Sequence, residues 1–207
     1  MTIYREDVAD YLRKIVPKED SLLQEIKKEA ADLGIPAISA NEGKFLYLMA
    51  KLIDAKKILE LGTGLGYSTV WLARALPELS KLVTIEREEQ YTRLAAEHFK
   101  KMNTKVIELI ESETTPVLEK MDEQFDMCFM DEYKSFYFLD LEHCIRLLRP
   151  GGLILVHNAL EGGWVESDEN DLDSDELRKW HQIFLSNDKI EPMVVPIGEG
   201  FMLARKL

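Results

Sequence analysis

The apolar run Leu153 to Val156 stops at His157 and Asn158. An imidazole and an amide at the end of a buried strand are two ligand-type side chains delivered to one rim. A second chemical cluster lies in LELGTGLGYS, residues 59–68. Gly62, Gly64 and Gly66 permit a tight turn and a close backbone approach to a ligand. The pattern is GxGxG and differs from the dinucleotide-binding GxGxxG. Glu86 stands twenty residues beyond Gly66, where a carboxylate can accept both hydroxyls of a ribose. Glu60 precedes the loop; its charge discourages a pyrophosphate and suits a cationic amine or sulfonium. A ribose joined to a positively charged methionyl portion describes S-adenosylmethionine (SAM). The simpler alternative is that the glycines only turn a strand into a helix, with Glu60 and Glu86 solvated at strand ends.

Short buried strands must carry these residues. KILELG (57–62), LVTIE (82–86), KVIELI (105–110), FDMCFMD (125–131) and GLILVHN (152–158) read as strands. Helical stretches lie between them: YSTVWLARAL, EEQYTRLAAEHFKKM, TPVLEKM and SFYFLDLEHCIRLL. The alternation predicts an α/β fold with a parallel, doubly wound sheet. Pro150-Gly151-Gly152 reads as the turn into the fifth strand. EPMVVPI and GFMLARKL, joined across Gly198-Glu199-Gly200, predict a hairpin and so an antiparallel last strand. Residues 1–55 read as a helical N-terminal part, with Asn41 as a candidate cap for its third helix. Residues 56–207 form the α/β core, and 1–207 read as one domain. Ligands of such sheets bind at strand carboxyl ends, which selects the glycine loop, Glu86, Glu113, Asp131, His157 and Asn158.

The chain has 207 residues and a net charge of −12. That balance disfavours a nucleic-acid partner, which calls for a basic face. No apolar run reaches the roughly 20 residues that span a bilayer, so no membrane role is expected. Cys128 and Cys144 sit in apolar segments and read as buried free thiols. The N-terminal MTIYREDVADYLRK carries charge where a signal peptide is apolar. A cytoplasmic location follows as an expectation. Residues 161–176 hold eight acids and no base: either a solvated loop or an acidic lid beside His157, with Trp164 as a substrate wall or a loop anchor.

LELGTGLGYSTVWLARALP resembles the first motif of the cation-dependent SAM O-methyltransferases, the catechol and caffeoyl-CoA O-methyltransferases and their small bacterial relatives. The likeness continues through IPAISANEGKFLYLMAKL, VTIE, FDMCFMD, LLRPGGLILVHN and PIGEGFMLARK. It implies a Rossmann-like class I methyltransferase fold: a seven-stranded, mostly parallel sheet with a reversed last strand and helices on both faces. It also implies a homodimer and a small, catechol-like acceptor. The loop Gly62–Gly66 and Ser68 would line the methionine part, Glu86 the ribose, and Glu113 the adenine. Ser39 falls near an N-terminal contact with the cofactor.

The resemblance also implies a divalent metal held by an Asp after the fourth strand and an Asp-Asn pair after the fifth. Asp131 matches the first, but the pair is His157-Asn158. One carboxylate, one imidazole and one amide make a softer site than two carboxylates do. Manganese or another transition metal would be preferred there over magnesium, with Glu161 a possible source of the lost charge. Lys134, three residues past Asp131, would be the base. Three readings of His157 stay open: metal ligand in an active O-methyltransferase, base or substrate anchor in one that has lost the metal, or structural substitution in a SAM-binding protein with little activity. Asp131 could instead cap the next helix or bind the cofactor with no metal present, and Lys134 could be a solvated lysine. The other histidines (His98, His143, His181) read as partly exposed structural residues. A tRNA hydroxyuridine methyltransferase and a nucleotide-dependent dehydrogenase are the more distant alternatives.

Overall fold

The strands KILEL and FDMCFM carry Leu and Met beside Ile and Phe, and neither Leu nor Met strongly favours extended backbone. What fixes them is burial on both faces. The computed structural model describes residues 5–16, 18–132, 134–161, 165 and 172–207. Three helices come first: α1 (Glu6–Ile15), α2 (Ser21–Asp32) and α3 (Ala40–Leu52). The alternating part runs β1 (Lys57–Leu61), α4 (Tyr67–Ala75), β2 (Lys81–Glu86), α5 (Glu89–Lys101), β3 (Ile107–Glu111), α6 (Thr114–Leu118), β4 (Phe125–Met130), α7 (Lys134–Leu147) and β5 (Leu148–His157). It closes with α8 (Leu172–Leu185), β6 (Ile190–Val195) and β7 (Phe201–Lys206).

The sheet order is β3-β2-β1-β4-β5-β7-β6. β1 to β5 pair in parallel, and β7 runs antiparallel between β5 and β6. This is the seven-stranded, mostly parallel architecture expected. Successive side chains go to opposite layers. Ile58, Met127, Phe129, Leu155 and Phe201 join the core shared with α2, α3 and α4. Leu59, Cys128, Met130, Ile154, Val156 and Met202 join the core shared with α7 and α8. Each such side chain contributes roughly 1.5–3 kcal/mol by burial, which outweighs strand preferences that span only ~1 kcal/mol. Cys128 and Cys144 are buried free thiols. No helix among the described residues is long and apolar enough to cross a membrane.

Two local expectations are corrected. Ser39, not Asn41, caps α3: its hydroxyl accepts from the Glu42 N–H at 3.3 Å, while the Glu42 carboxylate accepts from the Ser39 N–H at 2.6 Å. This reciprocal pair satisfies two otherwise orphaned donors. Pro150-Gly151-Gly152 lies inside β5, where the pairing with β4 shifts between Phe125 and Met127. The strand therefore starts earlier than Gly152 and carries a bulge.

The sheet order reverses between β1 and β4. Chain connections go outward to β2 and β3 on one side and to β5 on the other. A crevice opens above that switch point. There the Asp131 N–H, just past β4, donates to the Leu61 carbonyl of β1 at 2.8 Å.

α3 and α4 meet where Gly43 faces Trp71. A Cβ at Gly43 would stand 2.3 Å from the indole, and the ring has no flexible end to give way. Gly43→Ala should lower stability by about 1–3 kcal/mol, read as a lower denaturant midpoint with an unchanged slope.

Candidate active site

A cavity of about 480 Å³ lies over the carboxyl ends of β1, β2 and β4, within the roughly 300–1,000 Å³ of small-molecule sites. Gly62, Gly64, Ser68, Glu86, Glu113, Asp131 and Asn158 line it. The glycine loop owes its shape to positive φ at Gly62 (88°), Gly64 (51°) and Gly66 (90°). At Gly62 the approach is tight as well: a Cβ would stand 2.2 Å from the Asp131 carbonyl oxygen. Only glycine lets β1 and β4 deliver their loops to the same point.

Glu86 is braced from within the fold. Its Oε2 accepts from the Gly64 N–H at 2.8 Å and its Oε1 from the Glu88 N–H at 3.0 Å. A carboxylate held by two backbone donors keeps further lone pairs for hydroxyls on the ligand. Glu113 is an exposed residue at the start of α6, with the Arg87 guanidinium 3.7 Å away.

Three of the residues assigned to the cofactor do not line the cavity. Glu60 is fully buried and accepts from the Thr69 hydroxyl at 2.6 Å. Burial pushes its pKa up, hydrogen bonds from Thr69, Ser68 and Thr84 only partly offset this, and it stands at about 7. It supports the loop from below and has no direct access to a cationic ligand. Gly66 begins α4 and packs against Phe99. Ser39 is committed to its cap; it directly follows the cavity-lining Pro36-Ala37-Ile38 segment but is not itself a wall residue.

His157 is held between two carboxylates. Its Nδ1 is 2.9 Å from Asp131 Oδ1 and its Nε2 is 2.9 Å from Glu42 Oε1. Burial lowers the pKa of the ring, but the charges and hydrogen bonds of Asp131 and Glu42 outweigh it and raise it to about 10. With a carboxylate oxygen at hydrogen-bond distance from each nitrogen, the ring is placed to donate from both. Burial also pushes the Glu42 carboxyl up, yet its bonds to His157 and Ser39 hold it below the usual range. Of the set Asp131, His157 and Asn158, Asp131 and Asn158 line the cavity, and the His157 ring lies behind Asp131 with both nitrogens on carboxylates. No group of three or more His, Cys, Asp or Glu among the described residues is placed to hold a metal ion. Glu161 is half-buried beyond Asn158, with φ 46°. Lys134 is the first residue of α7. Its side chain lies outside the described residues, as do Tyr133, Trp164 and most of the acidic stretch.

Several contributors were not visible as such in the sequence. His98 is buried, against the partly exposed role expected. Its Nδ1 lies 3.0 Å from the Leu65 carbonyl and its Nε2 lies 2.9 Å from Glu29, so it ties the glycine loop to α2. Glu132 lines the cavity beside Thr114, whose hydroxyl stands 2.7 Å from Glu132 and 2.6 Å from Asp140. Burial, opposed by Thr114 and reinforced by Asp140, raises the Glu132 carboxyl to about 8. Glu42, the partner of His157 Nε2, carries no local signal of that role in the sequence.

Glu60 carries a pH dependence. Its folded pKa lies above its unfolded value, so the folded state holds an extra proton between about pH 4.5 and 7. The resulting stability is present below that window, is lost as pH rises through it, and amounts to about 3 kcal/mol. In urea melts from pH 4.5 to 8, the stability of Glu60→Gln relative to the parent should rise by about that amount and then level off. At the ligand, Glu86→Ala should weaken SAM binding about 100-fold by calorimetry, matching the loss of about 3 kcal/mol in charge-assisted hydrogen bonds.

Comparison with known proteins bears on this geometry. Residues 13–207 match the family model described as O-methyltransferase. A relative named catechol O-methyltransferase, from Niastella koreensis, is 38% identical over 80% of this chain and 77% of its own. Among solved structures, the O-methyltransferase TomG from Streptomyces achromogenes, in complex with SAM, is 30% identical with a TM-score of 0.85, covering 97% of this chain and 96% of that one. The O-methyltransferase from Bacillus cereus, in complex with SAH, is 28% identical with a TM-score of 0.85 and 97% coverage of both chains. The fold is that of the class I methyltransferases, and the chain belongs to the O-methyltransferase family.

Proposed function

We propose that this protein transfers the methyl group of SAM to a hydroxyl of a small, catechol-like aromatic acceptor, and that residues 1–207 act as one catalytic unit. The observation that carries the proposal is the cavity in which the glycine loop, the braced Glu86 and Asp131 face one space. The relative named catechol O-methyltransferase and the neighbours holding SAM and SAH support it. In this reading Gly62, Gly64 and Ser68 hold the methionine portion, Glu86 takes the ribose hydroxyls, and Glu113 lies at the adenine. Asp131 and Asn158 mark the acceptor side.

The reaction is a direct displacement. The sulfonium S–CH3 bond breaks as the O–CH3 bond forms, and its electron pair neutralises the sulfur. The hydroxyl proton leaves to a base, and Lys134 is proposed for that role from its place in the chain. His157 is not, since neither ring nitrogen is free. Orientation supplies much of the acceleration, with effective molarities that reach roughly 10⁵ M or more. We also propose a cytoplasmic homodimer, with the exposed Leu48 and Leu52 of α3 as candidates for its contact.

The test is formation of S-adenosylhomocysteine from SAM with catechol and a panel of hydroxylated aromatics. Turnover with catechol well above the acceptor-free rate is expected. Tight SAM binding with no product across the panel would leave a SAM-binding protein without this activity. Salt-sensitive, tight retention of tRNA in a filter assay would move the acceptor to RNA.

A further inference from the structure

We infer that His98 is a positioning residue for the cofactor: with Glu29 it latches α2 to the glycine loop, so that α2 is the wall that moves when the cofactor enters and leaves. The inference rests on SAM as the cofactor, as proposed above; it does not depend on the acceptor or on the base.

Helix α2 closes one side of the cavity. Ile26 and Ala30, about one turn apart, line it, and so do Gly34 to Ile38, which follow the helix. The residues just before those two, Glu25 and Glu29, reach α5 instead. Glu25 lies 2.8 Å from Lys101 Nζ, and Glu29 lies 2.9 Å from His98 Nε2. His98 and Lys101 are three apart and share one face of α5. The start of α2 is held in the same manner by α4: Glu19 accepts from the Tyr67 hydroxyl at 2.5 Å, and Asp20 meets Arg74 at 2.5 Å. The helix thus rests on a short apolar stripe, Leu23, Ile26 and Ala30, with acids fastened on either side of it. Exposed pairs such as Glu25–Lys101 contribute little. The His98 contact differs because the ring is 3% exposed.

The second nitrogen of that ring reaches the glycine loop. Nδ1 lies 3.0 Å from the Leu65 carbonyl. A carbonyl can only accept, so Nδ1 is the donor. Leu65 stands between Gly64 and Gly66, and the Gly64 N–H is given to Glu86 at 2.8 Å. Within two residues the loop is therefore tied to the carboxylate proposed for the ribose and, through one rigid ring, to α2. Phe99, the next residue of α5, packs against Gly66, where a Cβ would stand 2.4 Å from its ring. When α2 lifts, one of the two bonds of His98 has to break. The Leu65 carbonyl belongs to a buried residue, whereas Glu29 is 37% exposed and can exchange its partner for water. Opening breaks the Glu29 contact and leaves His98 on the loop. Closure restores it and returns Ile26 and Ala30 to the cavity wall.

The experiment is release of radiolabelled SAM from the loaded protein, chased with excess unlabelled SAM. Glu29→Ala should release it about tenfold faster, the size of one hydrogen bond to a charged group. It should also speed hydrogen exchange of the Gly66 N–H, which is bonded to the Thr63 carbonyl. Glu29→Gln, which keeps an acceptor facing Nε2, should recover most of both effects. In a second protein, Glu25→Cys with Lys101→Cys, a reducible bifunctional thiol reagent would join α2 to α5; Cys128 and Cys144 are buried and do not compete. The cross-link should slow SAM loading and release by about tenfold or more, and reduction should restore them. Release from Glu29→Ala within twofold of the parent would overturn the inference, as would equal acceleration by Glu29→Ala and Glu29→Gln. So would cross-linked protein that exchanges SAM at the parent rate, and this arm decides if Glu29→Ala fails to fold. A parent protein that binds neither SAM nor S-adenosylhomocysteine would overturn the cofactor reading itself, and the inference with it.

Discussion

A carboxylate buried at the start of a helix has to be compensated, and much of this molecule is arranged around that need at Glu42. The acid caps its own helix through Ser39, receives the Glu199 N–H from the last hairpin, and takes a charged partner from the end of β5. The last two of those groups come from distant parts of the chain. Helix α3, the end of β5 and the β6–β7 turn are thereby pinned to one another through two oxygens. The ring that meets Glu42 also grips Asp131, so the same contact sets the wall of the cavity. Removing one member of such a buried set typically costs about 3–5 kcal/mol, because the others keep their desolvation penalty.

The fold was largely legible because short apolar runs alternate with helical stretches. Within those runs, successive residues such as Ile58 and Leu59, or Met127 and Cys128, go to two separate cores. The turn at Gly198 and Gly200 then reversed the final strand. The misplaced details were those that depend on one side chain's choice. Asn41 and Ser39 are both good caps, and only the reach of Glu42 back to the Ser39 N–H decides between them. Pro150 and the two glycines after it look like punctuation, yet a strand with a bulge can absorb them when the neighbouring strand shifts register.

The site was legible in outline for a related reason. Glycines with a required φ and a carboxylate at a fixed interval are local patterns, and they fall on the cavity as read. The state of His157 was not legible, because it depends on an acid 115 residues away. Glu60 shows the same limit from the other side. Its place in the motif suggested a charge facing a ligand, while the packing of Thr69 and Thr84 around it turned that charge inward. Sequence spacing places a side chain at a strand end; the neighbours decide which way it is used.

The position of β7 bears on how the molecule is made. It is inserted between β5 and β6, and Phe201 at its start packs against both Phe45 of α3 and the ring of His157. During synthesis β1 to β5 leave the ribosome first and can pair among themselves. The β5 edge, and with it the shelf that Glu42 and His157 share, stays open until the final hairpin emerges. An arrested nascent chain that stops short of Phe201 would therefore show a protected parallel sheet and an unfinished cavity. The chemistry of the protein becomes available only with its last strand.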